Sequence, residues 1–182
     1  MADQDFSNSI VTEFDVPATM RDGTVLRANI FRPASGGPYP VALTRTPYGK
    51  DYGSVSPFLD AVRMARAGYI VVIQDVRGRF RSEGEFSAFR NEFHDGYDTV
   101  EWAARLPGAS GKVGMFGASY FGFTQWAAAV EAPPSLKAIV PSITWHDTRD
   151  GTHRSRSSPW TIRESASPMV TSPSPATRSS TP

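Results

Sequence analysis

Residues 112–130 read KVGMFGASYFGFTQWAAAV and hold a serine, Ser119, between two segments with different patterns. Residues 112–117 form a short apolar run that predicts a strand, and residues 120–130 predict a helix. A nucleophile elbow places a serine on such a strand-to-helix turn, where the strained backbone exposes the hydroxyl above the sheet. The stretch therefore predicts that Ser119 is a nucleophile on an α/β scaffold.

The neighbours of Ser119 decide how well the turn fits an elbow, because bulky residues would block the hydroxyl. Gly117 and Ala118 are small, as the turn requires. The second glycine of the general G-x-S-x-G pattern stands one position late, at Gly122, and Phe121 occupies its place. An alternative interpretation is that Ser119 only caps the following helix, since serine is a preferred N-cap residue.

Around this stretch, short strands alternate with helices. The predicted strands are residues 16–20, 24–31, 40–44, 69–74, 112–117 and 136–140, and the predicted helices are residues 57–67, 95–105 and 120–130. An Asp22-Gly23 turn joins the first two strands as an antiparallel hairpin. The later alternation implies right-handed crossovers within a parallel sheet. We therefore predict an α/β fold with a mostly parallel sheet, helices on both faces and an N-terminal antiparallel hairpin.

The composition changes near residue 150. Residues 151–182 contain nine Ser, five Thr and five Pro, and their large apolar residues are few and unpatterned. Such a segment buries too little apolar surface to offset the entropy of ordering it. We predict a partial catalytic domain over residues 1–148 and a disordered tail rich in Ser, Thr, Pro and Arg over residues 149–182.

The overall composition excludes several classes of protein. The chain has no cysteine, which excludes a disulfide framework, a thiolate zinc site and a cysteine nucleophile. Its 19 basic and 18 acidic residues give a net charge of only +1, which does not favour nucleic acid or an anionic membrane as a partner. The N-terminus lacks the charge pattern of a signal peptide, so we expect a cytoplasmic protein that does not cross the membrane. No cofactor is expected.

Four sequence motifs together resemble one enzyme family. Residues 113–122 (VGMFGASYFG), with 124–126 (TQW) and 136–139 (LKAI), resemble the CocE/NonD hydrolases, the cocaine esterase and X-Pro dipeptidyl-peptidase family of peptidase S15 type. In that family the elbow has the sequence motif G-x-S-Y-x-G, which accounts for the position of Gly122. Three further segments match in the same order: residues 20–23 (MRDG) with 31–33 (FRP), 45–48 (RTPY), and 74–78 (QDVRG) with 82–86 (SEGEF). The likeness covers about residues 10–147 and implies an α/β-hydrolase fold, here incomplete.

The resemblance also implies roles for three residues. Ser119 would attack an ester or amide carbonyl, and the backbone N–H of Tyr120 would be one donor of the oxyanion hole. Tyr48 matches the family position whose phenol supplies the second donor. Without the resemblance, Tyr48 would be interpreted as a tyrosine packed in a loop after Pro47. The implied substrates are small-molecule esters or short peptides, and the residues around the elbow (Phe121, Phe123, Gln125, Trp126) look most like the esterase branch.

The catalytic acid and histidine are missing from these motifs. In the resembled family both follow the serine, beyond a helical cap inserted after the strand at residues 136–140, whereas the likeness here stops near residues 145–147. We therefore expect the N-terminal part of such an enzyme, truncated or frame-shifted, and inactive by itself. Of the three histidines, His94 is interpreted as a loop or capping residue, His146 could approach Ser119 as a base, and His153 falls in the predicted tail.

Three other interpretations compete with a serine hydrolase. A metal-dependent hydrolase is suggested by two His-Asp pairs, His94-Asp95 and His146-Asp147. Neither pair has the ligand spacing of a metal site. Residues 77–81 (RGRFR) interleave arginine with an aromatic residue, as nucleic-acid-binding segments do, but they follow a buried strand and favour a structural loop. The third is a non-catalytic fragment or partner-dependent pseudoenzyme, whose open sheet edge would promote aggregation.

Overall fold

The computed structural model describes residues 9–52 and 60–146. The predicted domain boundary at residue 148, the tail at 149–182 and the first residues of the helix predicted from 57 lie outside the described residues. Within those residues, no helix is both long and apolar enough to cross a bilayer.

The described residues form six strands and three helices. In chain order these are β1 (Ile10–Thr19), β2 (Val25–Pro33), β3 (Tyr39–Thr46), α1 (Ala61–Arg66), β4 (Ile70–Asp75), α2 (Glu92–Ala103), β5 (Ala109–Ala118), α3 (Tyr120–Val130) and β6 (Leu136–Ser142). Each predicted strand and helix is present, and α3 has the predicted bounds.

All six strands belong to one sheet in the order β1-β2-β4-β3-β5-β6. Strand β2 runs antiparallel to both of its neighbours, β1 and β4. The pairs β3–β4, β3–β5 and β5–β6 are parallel. The predicted mostly parallel sheet with an N-terminal antiparallel hairpin is therefore confirmed. This order places β3 and β5 side by side, so that the chain segments leaving their carboxyl ends meet at one edge of the sheet.

Helices pack on both faces of the sheet, but they cover them unequally. On one face α2 and α3 contribute Val100, Ala103 and Ala128 to the largest core cluster, which also contains Leu43 and Met115 from the sheet. On the other face α1 packs against Val71 and Ile73 of β4. Beyond α1, this second face carries a groove of about 670 Å³ over β3, β5 and β6. We call it the open groove; its lining includes Ala42, Met64, Gly114, Phe116, Ala138 and Val140.

Several element boundaries differ from the prediction by a few residues, and the early start of α2 has an identifiable reason. Helix α2 begins three residues early, at Glu92, because that side chain is buried and paired with Arg45 rather than solvated before the helix. His94 consequently lies inside the helix, and its interpretation as a loop residue is wrong. Strand β1 begins earlier than predicted and carries an irregularity between Glu13 and Val16, where Asp15 has a positive φ of 54°.

Candidate active site

Ser119 occupies a strained turn between β5 and α3. Its φ is 55° and its ψ is −123°, a combination that costs a non-glycine residue free energy and persists only where the surroundings enforce it. The side chain is exposed, and its hydroxyl makes no capping hydrogen bond to α3. The structure therefore does not support the alternative in which Ser119 only caps the helix.

Backbone hydrogen bonds fix this turn from two sides. The N–H groups of Gly122 and Phe123 both donate to the Ser119 carbonyl at 3.0 Å, and the Ser119 N–H donates to the carbonyl of Ser142 at 3.0 Å. The hydroxyl of Thr144 donates to the same Ser119 carbonyl at 2.7 Å. The first N–H groups of a helix have no acceptor within the helix. Accordingly, the Tyr120 N–H has no acceptor among the described residues and remains free to bind an oxygen next to Ser119.

The two glycines of the elbow motif, Gly117 and Gly122, each leave room for a different neighbouring side chain. Gly117 has a φ of +135°, and a Cβ there would lie 2.5 Å from the Cβ of Phe121. A Cβ on Gly122 would lie 2.5 Å from Cγ2 of Thr144. The late position of the second glycine is thus explained by the chain leaving β6, which packs directly on the first turn of α3.

Tyr48 lies beside the elbow, just beyond the end of β3. Its ring centroid is 5.6 Å from that of Phe121 and 6.4 Å from that of Tyr120. The side chain is 53% exposed. It is therefore not packed into a loop after Pro47, as the alternative interpretation of this residue required. Its backbone N–H donates to Oγ1 of Thr46 at 2.9 Å, which tightens the turn after the strand. The structure brings Tyr48, Ser119 and Tyr120 to the same edge of the sheet.

Contacts from Lys50 and Arg79 hold the loop that carries Tyr48. The ammonium of Lys50 is fully buried between Asp75, at 3.2 Å, and Asp15, at 2.8 Å. The Lys50 backbone N–H also donates to Asp75 at 2.7 Å. Burial raises the pKa of the Asp75 carboxyl, and its hydrogen bonds from Lys50 act in the opposite direction. Nε of Arg79 donates to the carbonyl of Pro47 at 2.9 Å.

Neither Lys50 nor Asp75 was predicted from the sequence to have a role at this site. Lys50 follows the segment 45–48 and Asp75 lies within the segment 74–78, and both segments resemble the family. That resemblance was the one sequence signal that could have pointed to these two residues. Their pairing depends on the adjacency of β3 and β4, which periodicity alone does not give.

The histidines do not supply a base to Ser119 among the described residues. His94 projects from α2 toward Glu131, with Nδ1 3.2 Å from that carboxylate. The ring of His146 lies 6.5 Å from the ring of Trp126, two turns along α3 from the serine. Neither imidazole forms a hydrogen bond with the Ser119 hydroxyl, and His153 lies outside the described residues.

The arginines of the segment at 77–81 form ion pairs and hydrogen bonds within the molecule. Arg77 bonds to Asp22 at 2.7 Å and to Asp95 at 2.6 Å. Arg79 bonds to a backbone carbonyl, as described above, and Arg81 pairs with Asp15 at 3.1 Å. These contacts support the interpretation as a structural loop. Among residues 9–52 and 60–146, no group of three or more His, Asp and Glu side chains is arranged to hold a metal ion.

Comparison with models of protein families identifies the family of this chain. The model described as X-Pro dipeptidyl-peptidase (S15 family) matches residues 22–179. The chain belongs to the S15 family. The resemblance predicted from the motifs is thereby confirmed. The match continues past residue 148, and the domain boundary placed there stays a prediction.

Individual relatives of this S15 chain are esterases and hydrolases by name. The cocaine esterase of Rhodococcus sp. (strain MB1 Bresler) is 43% identical over 145 residues, which cover 79% of this chain and 25% of the relative. A solved α-amino acid ester hydrolase matches with a TM-score of 0.68 at 32% identity and covers 80% of this chain and 27% of its own. A CocE/NonD family hydrolase from Staphylococcus aureus matches with a TM-score of 0.67 at 35% identity, over 71% of this chain and 27% of its own.

These likenesses define both the fold and its extent. The described residues form part of an α/β-hydrolase fold, as predicted, and the family is one of serine hydrolases. The chain spans about a quarter of the length of the relatives it matches.

Proposed function

We propose that this S15 chain carries the nucleophile half of a serine hydrolase site that cleaves an acyl ester or amide through an acyl-enzyme on Ser119. The observation that carries the proposal is the strained backbone of Ser119, with φ at 55° and an exposed hydroxyl at the end of a central strand. Strained backbone of this kind clusters at functional sites. We also propose a cytoplasmic location and no cofactor for this chemistry.

The proposed reaction uses each group for one task. Oγ of Ser119 attacks the carbonyl carbon and loses its proton to a base, while the carbonyl oxygen takes the negative charge. The N–H of Tyr120 and the phenol of Tyr48 donate hydrogen bonds to that oxygen. The tetrahedral intermediate then expels the alcohol or amine with a proton, which leaves an acyl ester on Ser119. Water attacks this ester, which releases the carboxylic acid and restores the Ser119 hydroxyl.

Esters are the favoured substrate class. The relatives named above include a cocaine esterase and an amino acid ester hydrolase. Of the four residues that suggested the esterase branch, Phe121, Phe123 and Gln125 are buried, with 9%, 2% and 0% exposure, and Trp126 is 36% exposed. The three buried side chains pack the elbow, so the preference for small-molecule esters over short peptides rests on the relatives.

The alternative is a non-catalytic fragment or partner-dependent pseudoenzyme, and one observation favours it. Among the described residues no imidazole or carboxylate reaches the Ser119 hydroxyl. A serine without a base is a weak nucleophile. Oxyanion donors and binding alone still accelerate such reactions by about 1,000-fold over water in a triad enzyme stripped of its triad. We therefore expect slow acylation by an activated ester and negligible turnover.

The test is intact-mass analysis of the chain after incubation with p-nitrophenyl butyrate. We expect one butyryl group on Ser119 that persists, because deacylation also needs a base. The group should be absent from Ser119→Ala and present on Ser142→Ala, a matched control at the neighbouring strand end. Folded protein that takes up no acyl group would support the non-catalytic alternative, and equal acylation of Ser119→Ala would refute the assignment of the nucleophile.

A further inference from the structure

The side chain of Tyr120 is anchored beneath the elbow. Its ring is 5% exposed and stacks on Phe89 with a centroid distance of 4.8 Å. The phenol donates to Oε1 of Glu92 at 2.9 Å and accepts the backbone N–H of Phe89 at 3.2 Å. Burial and the nearby Glu92 carboxylate raise the pKa of the Tyr120 phenol, so it keeps its proton and remains a donor.

Glu92 is itself held by a buried cation. Its Oε2 lies 2.9 Å from Nη1 of Arg45, and the two side chains are 2% and 0% exposed. Nε of Arg45 donates to Oε1 of Gln74 at 2.9 Å, and Nη1 donates to the Glu92 carbonyl at 3.3 Å. Moving the carboxylate would leave the buried guanidinium with only the more distant carboxylate of Asp95, 3.9 Å from Nη2, and weakening a buried ion pair is costly. Glu92 therefore offers Tyr120 a fixed acceptor.

These contacts connect the elbow to three other elements. Arg45 lies on β3, three residues before Tyr48; Gln74 lies on β4, and Glu92 on α2. We call Arg45, Glu92 and the Tyr120 phenol the buried anchor. The backbone bonds of the turn fix the carbonyl and the N–H of Ser119. The buried anchor fixes the next residue, whose N–H is the proposed oxyanion donor.

We propose that Glu92 is a positioning residue that acts through the Tyr120 phenol to hold the Tyr120 N–H where the oxyanion forms. The proposal rests on the proposed function, because only a reacting Ser119 needs that donor aligned. A purely structural role for Glu92 would be limited to neutralising Arg45. The two roles differ in whether the effect of Glu92 passes through the hydroxyl of Tyr120.

A double-mutant cycle on the full chain separates these roles. The variants are Tyr120→Phe, Glu92→Gln and their combination, and the measured quantity is the second-order rate at which a fluorophosphonate labels Ser119. A small misplacement of a reacting group can cost one to two orders of magnitude, and we expect Tyr120→Phe to label about 10-fold more slowly than the unmodified chain. Glu92→Gln should slow labelling by itself and add nothing in the Tyr120→Phe background, because both changes break the same connection.

Thr99→Val is the matched control. Its hydroxyl donates to Oε1 of Gln74 at 2.9 Å in the same buried network, and it does not contact Tyr120. Its labelling rate should equal that of the unmodified chain although its stability falls. Independent effects of Glu92→Gln and Tyr120→Phe, or an unchanged rate in Tyr120→Phe, would overturn the proposal.

Amide hydrogen exchange provides a readout that needs no reactive serine. The N–H groups of Ser119, Gly122 and Phe123 form the hydrogen bonds of the turn. They should exchange faster in Tyr120→Phe and Glu92→Gln, and not in Thr99→Val. If the unmodified chain is not labelled but these amides respond, the proposed function fails and the anchor stands. If the amides and the labelling rate are both unchanged, the anchor fails.

Discussion

The two faces of the sheet differ in what they provide to the elbow. On the face of α2 and α3, packed side chains and the buried anchor reach Tyr120 directly. On the other face, the open groove exposes apolar strand residues, with Val140 at 64% exposure, and none of the anchor contacts lie there. The buried anchor reaches the elbow from the face of α2 and α3, whereas on the other face Phe121 packs against Val71 and Ile73. We therefore expect changes in the covered face to disturb the elbow more than changes in the groove.

The largest effect expected from this comparison is on folding. Leu43→Ala removes a fully buried side chain on the covered face and should lower the free energy of unfolding by about 2–5 kcal/mol. Val140→Ala, on the open face, should stay within about 0.5 kcal/mol. Urea denaturation of both variants measures the difference. Equal losses would mean that the open face is covered in solution.

The next effect concerns the proposed oxyanion donors. Tyr48→Phe removes only a hydroxyl and should slow fluorophosphonate labelling of Ser119 by about 100-fold, the usual cost of losing one donor. Tyr52→Phe is the matched control, since Tyr52 is also exposed, at 62%, but contacts Phe80 rather than the elbow. Similar rates in the two variants would remove Tyr48 from the site.

The same glycine-to-alanine substitution at two positions compares the packing of the elbow with that of the groove. Gly122→Ala places a Cβ against Thr144 and should destabilise the fold by about 1–3 kcal/mol. Gly114→Ala adds the same methyl group on the groove side, where the nearest atoms are at 3.9 Å, and should be neutral or slightly stabilising. Thermal unfolding distinguishes them. A harmless Gly122→Ala would show that the chain after β6 does not pack on the elbow.

The smallest effect is electrostatic and depends on pH. Arg77, which donates to Asp22, lowers the pKa of that carboxyl well below its usual value of 3.8, and the Thr24 N–H adds to the effect. A lowered folded-state pKa stabilises the protein above the unfolded value, and that contribution is lost as the pH falls. Asp22→Asn should therefore be less stable than the unmodified chain at neutral pH, and the difference should shrink below about pH 4. A difference that stays constant on acidification would contradict the assignment.

The sequence predicted the elements that follow from local pattern. The alternation of strands and helices, the hairpin after Asp22-Gly23 and the elbow at Ser119 all rest on short-range periodicity and turn chemistry. The position of Tyr48 beside the elbow could be predicted because the resemblance supplied it.

Contacts between distant charged residues could not be predicted in this way. Arg45 and Glu92 are 47 residues apart, and each would be expected at the surface from its type alone. Their burial made α2 begin earlier than its apolar pattern indicated. The unequal cover of the two faces likewise depends on the strand order, which becomes visible only once the sheet is assembled.

We propose that the elbow holds Ser119 in place as a nucleophile. Intact-mass analysis of the folded chain after exposure to a fluorophosphonate tests it most directly, with Ser119→Ala as the control. We expect one covalent adduct on the unmodified chain and none on Ser119→Ala. Folded protein that gains no adduct, or a Ser119→Ala variant that gains the same one, would contradict it.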